Sequence, residues 1–269
     1  MTDDTILVGA VAYHPRIVTI WEGFREWFAE SGAPTDYLLY SNYERLVDAL
    51  LDGAVDIAWN TNTAYVAAEQ RIGGDAQVLG MRDVDANFRT VIVARRGALA
   101  DVGGLAGARL ALGSRDSGHA AILPLHYLAG EGVDVEGLSL VRFDTDLGKH
   151  GDTGDSELRV VRAVAEADAD AGAVGDTTWA AMRSEGFAPA GELEVVWRSP
   201  TYYHCNFTAL PSFDAGQAER WSAALLAMSY DDPALRGVMD LEGVKRWLPG
   251  NKSGYADLAA AMREQGYLG

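Results

Sequence analysis

Apolar and polar positions along this chain alternate between two periods. Short apolar runs at Thr5 to Ala12, Tyr37 to Tyr40, Val55 to Trp59, Gln77 to Met81 and Arg89 to Arg95 predict strands. Between the first two, Ile17, Ile20, Trp21, Phe24, Trp27 and Phe28 recur at spacings of three and four, which predicts a helix with one wide apolar face. Pro15 suits its first turn, where a missing N–H costs nothing. Tyr43 to Leu51 and Thr63 to Gln70 read as further helices. Strands separated by helices predict an α/β fold with parallel pairing and right-handed crossovers. Ligands in such sheets sit beyond the carboxyl ends of the strands. The residues there are Tyr13 and His14, then Ser41 and Asn42, then Asn60, Thr61 and Asn62.

The second half turns on Arg109 to Tyr127, where Leu110-Ala111-Leu112 predicts a buried strand, Gly113 to Gly118 a turn, and His119 onward a helix. A helix opening on Asp116, Ser117 and Gly118 carries unpaired N–H groups and the positive end of its dipole. Ser114, Asp116, Ser117, Gly118 and His119 therefore either cap the helix or seat an anion. Ser139 to Phe143 predicts a strand, Ser156 to Glu166 a helix, and Ala171 to Val174 a strand leading to Asp176. The polar, glycine-rich stretch from Asp144 to Asp155 predicts no element. Glu194 to Trp197 and Tyr203 to Ala209 read as strands returning to a first lobe. The expected division is residues 1–95 and 201–269 in the first lobe with the C-terminal helices, and 96–200 in the second, with crossovers near Arg95 to Gly97 and Ser199 to Tyr203 about which the lobes close on ligand.

At 269 residues the chain is long for one core and suited to two lobes. Its 39 acidic against 22 basic residues leave 17 net negative charges, which excludes nucleic acid and anionic membrane surfaces as natural partners. One cysteine excludes an internal disulfide. The acidic start, Met-Thr-Asp-Asp, lacks the basic and apolar segments of a secretion signal, so the expectation is a cytoplasmic protein, or a periplasmic or extracellular one if a leader has been removed. No apolar stretch reaches transmembrane length, so membrane insertion is not expected.

Several stretches in order, Ala49 to Ala58, Leu105 to Ala111, Ser114 to Pro124 and Ala163 to Asp176, resemble the phosphonate-type solute-binding proteins of ABC uptake systems, over most of residues 5 to 245. That resemblance implies a type 2 periplasmic-binding-protein fold, two α/β lobes with the ligand in an interlobe cleft, a small-molecule ligand, and an ABC permease as partner if the protein is exported. It implies that Ser114, Ser117 and Gly118 supply hydroxyls and amides to an oxyanion, that Asp176 lines the cleft, and that Asn60 to Tyr65 form the first-lobe loop over the ligand. Where the family commonly shows a His-Glu pair opening the helix after the cleft loop, this chain has Ser156-Glu157, preceded by an insertion ending in Asp155. A cleft bordered by Asp116, Asp152, Asp155 and Asp176 repels a phosphonate dianion, which points to a zwitterionic or weakly charged ligand.

Tyr203-His204-Cys205 stands at the second crossover, and in a strand His204 and Cys205 point to opposite faces. No cofactor is expected, but His14, His119, His204 and Cys205 leave a metal ion open. Two functions follow. One is a binding module for a small oxyanionic or zwitterionic metabolite. The other is a cytoplasmic biosynthetic enzyme on the same fold, similar in fold to the pyrimidine synthases of thiamin biosynthesis, with Cys205, His14 and His204 as its catalytic group.

Overall fold

The computed structural model describes residues 5–268, and the acidic start at positions 1–4 lies outside them. The chain divides into two units. Unit one holds the residues up to Asn87 and Tyr203–Tyr255; unit two holds Phe88–Tyr202 and the residues from Ala256 on.

In chain order, unit one begins with β1 (Ile6–Val11), α1 (Arg16–Glu30), β2 (Thr35–Tyr40), α2 (Tyr43–Leu51), β3 (Ile57–Asn60), α3 (Asn62–Ile72) and β4 (Gln77–Arg82). Unit two follows with β5 (Thr90–Arg95), β6 (Arg109–Leu112), a π-helical turn (Gly118–Ile122) running into α4 (Leu123–Gly130), β7 (Ser139–Arg142), α5 (Asp155–Ala165), β8 (Ala171–Gly175), α6 (Asp176–Ser184), α7 (Ala188–Gly191) and β9 (Leu193–Arg198). The chain returns through β10 (Asn206–Ala209), α8 (Ala215–Leu226), α9 (Pro233–Glu242) and β11 (Trp247–Pro249), and ends in α10 (Ala256–Glu264) of unit two.

Unit one is a six-stranded sheet in the order β11-β4-β10-β3-β1-β2. β1 pairs in parallel with β2 and β3, as the strand-helix alternation predicts, while β10 and β11 join antiparallel. The apolar stripe of α1 packs against this sheet: Ile17, Ile20, Trp21, Phe24 and Phe28 are buried, and Phe28 stacks on Trp221 at 4.9 Å between centroids. Unit two is a five-stranded sheet in the order β7-β6-β8-β5-β9, with β6 parallel to β7 and β8 and β5 antiparallel to β8 and β9. Each sheet thus presents the carboxyl ends of its parallel strands along one edge.

The passage out of unit one falls between Asn87 and Phe88, ahead of β5, and not after Arg95. Thr90 to Arg95 pair with β8 and β9 along their whole length, and Arg95 to Gly97 form a turn inside unit two, closed by Ala98 N–H on Arg95 O at 2.9 Å. The stretch Glu194 to Trp197, which reads as a returning strand although the expected division at residue 200 keeps it in the second lobe, lies in β9, where it completes the ladder with β5. Residues 256–264 also belong to unit two. There Tyr127 Oη donates to Asp257 at 2.8 Å and Gln265 Nε2 to Ile122 O at 2.9 Å.

The last predicted strand is shorter than its apolar run. Tyr203 and His204 donate their N–H groups to the carbonyls of Gly254 (3.0 Å) and Asp85 (2.9 Å), so the ladder of β10 starts only at Asn206. The alternation that would place His204 and Cys205 on opposite faces therefore does not apply. Both are buried, and Cys205 Sγ lies 3.0 Å from His204 Nδ1.

Candidate functional site

In unit two, three helices begin where parallel strands end. After β6 the chain turns through Gly113, and the Ser117 hydroxyl accepts from Ala120 N–H at 3.2 Å, the capping use of this residue. The first turn is widened: Ser117 O accepts from Ile122 N–H at 3.0 Å as well as from Ala121 N–H at 3.2 Å. Such π turns recur at functional sites. Ser114 Oγ, fully buried, lies 3.5 Å from Phe143 O and accepts from Asp146 N–H at 3.4 Å, while Asp116 accepts from Gly148 N–H. Asp155 is exposed in the first turn of α5, and Asp176 opens α6, its Oδ1 accepting from Arg89 N–H at 3.3 Å.

Ser156 is fully buried at the start of α5, and its hydroxyl has no hydrogen-bond partner among the described residues. It lies beside the backbone of Gly113, where an added Cβ would stand 3.1 Å from that oxygen and 2.7 Å from Ala120 Cβ. Only a glycine lets β6 end this close to two helix starts.

Glu157 is the group that spacing could have singled out. It precedes Val160, Val161 and Val164 on the stripe that buries α5, so a carboxylate is carried into the interior. There Oε1 accepts from Gly175 N–H at 2.6 Å, and Oε2 accepts from the Thr178 hydroxyl at 3.1 Å and lies 3.3 Å from His119 Nε2. Burial lowers the imidazole's proton affinity, but the Glu157 carboxylate outweighs it and raises the His119 pKa above its ordinary value. The glycine-rich loop covers this pair. At Gly151, with φ of +90°, an added Cβ would come within 2.9 Å of Ser117 Oγ and 3.2 Å of the His119 ring.

In unit one the corresponding edge carries the other expected residues. Tyr13 is half-buried, and exposed His14 accepts from Arg16 N–H through Nδ1 at 3.1 Å. Asn42 and Thr61 cap α2 and α3, accepting from Arg45 N–H at 2.9 Å and Ala64 N–H at 3.3 Å. Asn62 Nδ2 donates to Tyr203 O at 3.4 Å, and Tyr203 packs edge-on against Tyr255. Asn60 begins a buried relay: its Nδ2 donates to Thr208 Oγ1 (3.1 Å), Thr208 to Asn206 Oδ1 (2.5 Å), and Asn206 Nδ2 to Tyr255 Oη (2.8 Å). Asn60 Oδ1, also buried, has no partner among the described residues.

Next to this relay lies a charged cluster that the sequence pattern does not announce, because Asp85 sits in the irregular turn after β4. Arg82 grips it with two bonds, Nε to Oδ2 at 2.7 Å and Nη2 to Oδ1 at 2.9 Å, and also donates through Nη1 to Glu242 Oε1 at 3.3 Å. His204 Nδ1 is 3.5 Å from Asp85 Oδ1. Burial alone would raise the Asp85 pKa, but Arg82 and His204 hold it down at about 2. His14 is not part of this group, and His119, in unit two, is engaged by Glu157. Of the residues that leave a metal ion open in the sequence, His204 and Cys205 meet Asp85 within unit one.

Three comparisons bear on identity. The fold is similar to PhnD1 from Prochlorococcus marinus, a structure in complex with methylphosphonate (18% identity, 98% of this chain and 99% of that one, TM-score 0.77). It is similar to XAC2383 from Xanthomonas citri, a structure bound to ATP (19%, 97% and 98%, TM-score 0.75). It is also similar to the periplasmic aliphatic sulphonate binding protein SsuA from Escherichia coli (14%, 99% and 89%, TM-score 0.62). No curated protein matches the sequence. The two-unit α/β architecture is the type 2 binding-protein fold of these structures. The family model described as "ABC transporter, phosphonate, periplasmic substrate-binding protein" matches residues 9–255, so the chain belongs to that family.

Proposed function

We propose that this protein captures a small oxyanion or zwitterion and delivers it to an ABC permease. The observation that carries this reading is the buried, unpartnered hydroxyl of Ser156 at a helix N-terminus. An unmade buried hydrogen bond costs about 1–3 kcal/mol, which a ligand oxygen accepting from it recovers. The N-termini of α5, α6 and the π turn supply partial positive charge along the same sheet edge. Asp155 and Asp176 already offset part of that charge, so a ligand with a cationic group beside its acid suits this edge better than a bare dianion. The structures with methylphosphonate and the sulphonate-binding neighbour support a tetrahedral acid group as the anchor. Family membership supports binding and not the enzyme alternative. Among the described residues, no helix is long and apolar enough to cross a membrane. The family's description as periplasmic does not support the cytoplasmic placement expected from the acidic start, and it supports a delivery role outside the cytoplasm.

Isothermal titration with methylphosphonate, an aminoalkylphosphonate, phosphate and an alkanesulfonate tests the proposal. The expected result is tightest binding of the amino-bearing phosphonate, a loss of roughly 1–3 kcal/mol in Ser156→Ala, and in Asp176→Asn a loss confined to the amino-bearing ligand. Absence of binding across the panel, or full affinity in Ser156→Ala, overturns it.

A further inference from the structure

We propose that Asp85, His204 and Cys205 in unit one form a binding site for a divalent transition-metal ion of the zinc type. One donor atom from each, Oδ of Asp85, a ring nitrogen of His204 and Sγ of Cys205, lies within 4.8 Å of the other two, and all three residues are buried. Bonds of about 2.3 Å to sulfur and about 2.0 Å to nitrogen or oxygen separate donor atoms of a tetrahedral ion by roughly 3.3–3.6 Å. Here Sγ and Nδ1 stand 3.0 Å apart, and Nδ1 and Asp85 Oδ1 3.5 Å. Both separations are within about half an ångström of that spacing, and Sγ and the Asp85 oxygen stand no more than 4.8 Å apart. Thiolate, imidazole and carboxylate together select zinc over magnesium or calcium, which prefer all-oxygen shells.

The surroundings fit a cation in charge and in order. Arg82 faces two buried carboxylates, Asp85 and Glu242, so the side chains alone leave this interior cluster one negative charge over when the thiol is protonated and His204 is neutral. A divalent ion with the Cys205 thiolate brings the group to neutrality. Arg82 holds the carboxylate plane through both oxygens: Oδ2 takes its Nε and backbone N–H, while Oδ1 takes Nη2 and turns its second lone pair toward His204. This is the kind of outer support that orients metal ligands. Binding breaks the Sγ–H bond and releases that proton to solvent as the S–metal bond forms. Nδ1 binds through its lone pair: the proton it shares with Asp85 passes by way of solvent to Nε2, or is released if the ring carries two, and the metal keeps its oxidation state. Affinity accordingly falls with falling pH.

The three ligands also join segments far apart in sequence. Asp85 lies just before the chain leaves unit one at Asn87, and His204 just after it re-enters at Tyr203, with His204 N–H already on Asp85 O. An ion there clips the outgoing and returning strands together and raises the stability of unit one by mass action.

The test uses the chelator-treated full chain titrated with cobalt(II), then with zinc as competitor. The expected result is one ion per chain, a thiolate-to-cobalt charge-transfer band, visible absorption of tetrahedral cobalt, and an upward shift of the thermal midpoint with zinc. Cys205→Ser removes the charge-transfer band and weakens zinc binding more than about tenfold. His204→Ala does the same. His126→Ala, whose imidazole bonds Glu264 in unit two, keeps both signals. If either cluster variant fails to fold, slowed alkylation of Cys205 by zinc in the natural chain supplies the same readout. A folded natural chain without the charge-transfer band, or stoichiometric binding that survives Cys205→Ser, overturns the proposal.

Discussion

Glu157 Oε2 and His119 Nε2 face each other at 3.3 Å inside unit two, with both side chains almost wholly buried. The carboxylate is not left to the imidazole alone, since Gly175 N–H and the Thr178 hydroxyl also donate to it. A carboxylate is tolerated that deep only where polar partners meet its oxygens, and three do so here. The pair therefore ties the π turn after β6 to the starts of α5 and α6, the three segments that frame the proposed anion seat.

Because Glu157 raises the His119 pKa, the protonated imidazole stabilises the folded chain at low pH. That contribution is full below the ordinary histidine value and is lost as pH rises through the raised one. Glu157→Gln should lower stability by roughly 1–3 kcal/mol at about pH 5.5 and by less at about pH 9. Urea unfolding of both chains at the two pH values checks this, and a constant difference would contradict it.

Asp85 runs the opposite way. Its pKa is held at about 2 by Arg82 and His204 against the cost of burial, so its stabilisation is present above the ordinary aspartate range and is lost as pH falls toward about 2. Acid unfolding followed by circular dichroism should show natural unit one losing stability over that interval. Asp85→Asn should already be weaker at neutral pH, by about 1–3 kcal/mol, because Arg82 loses its charged partner here but keeps Glu242, and should depend less on pH below about 4.

Gly113→Ala places a Cβ 2.7 Å from Ala120 Cβ and 3.1 Å from Ser156 Oγ, and neither neighbour is the end of a flexible chain. Overpacking of this kind costs about 1–3 kcal/mol. The variant should melt lower and bind the panel's best ligand more weakly, as read by calorimetry. Unchanged melting and affinity would show that β6 can move away from the two helices.

Asn42 was expected at the ligand edge, but its Oδ1 is taken by Arg45 N–H as the cap of α2. Asn42→Ala should cost about 1 kcal/mol of stability and leave ligand affinity within a factor of about two. A large affinity loss in titration calorimetry would return Asn42 to the binding group.

The sequence by itself determined the elements whose burial is local and periodic. The α1 stripe, the parallel core strands β1, β2, β3, β6 and β8, and the serine-glycine turn before the π helix each follow from spacing and cap chemistry within one segment. Tertiary structure alone decided which sheet β5 and β9 joined, because an antiparallel strand has the same pattern in either ladder and pairing is settled by partners remote in the chain, and it alone assigned α10 to unit two. It also decided that His204 and Cys205 share one pocket with Asp85. Their N–H and side-chain groups found the turn after β4, a contact across more than a hundred residues that no spacing in the sequence encodes.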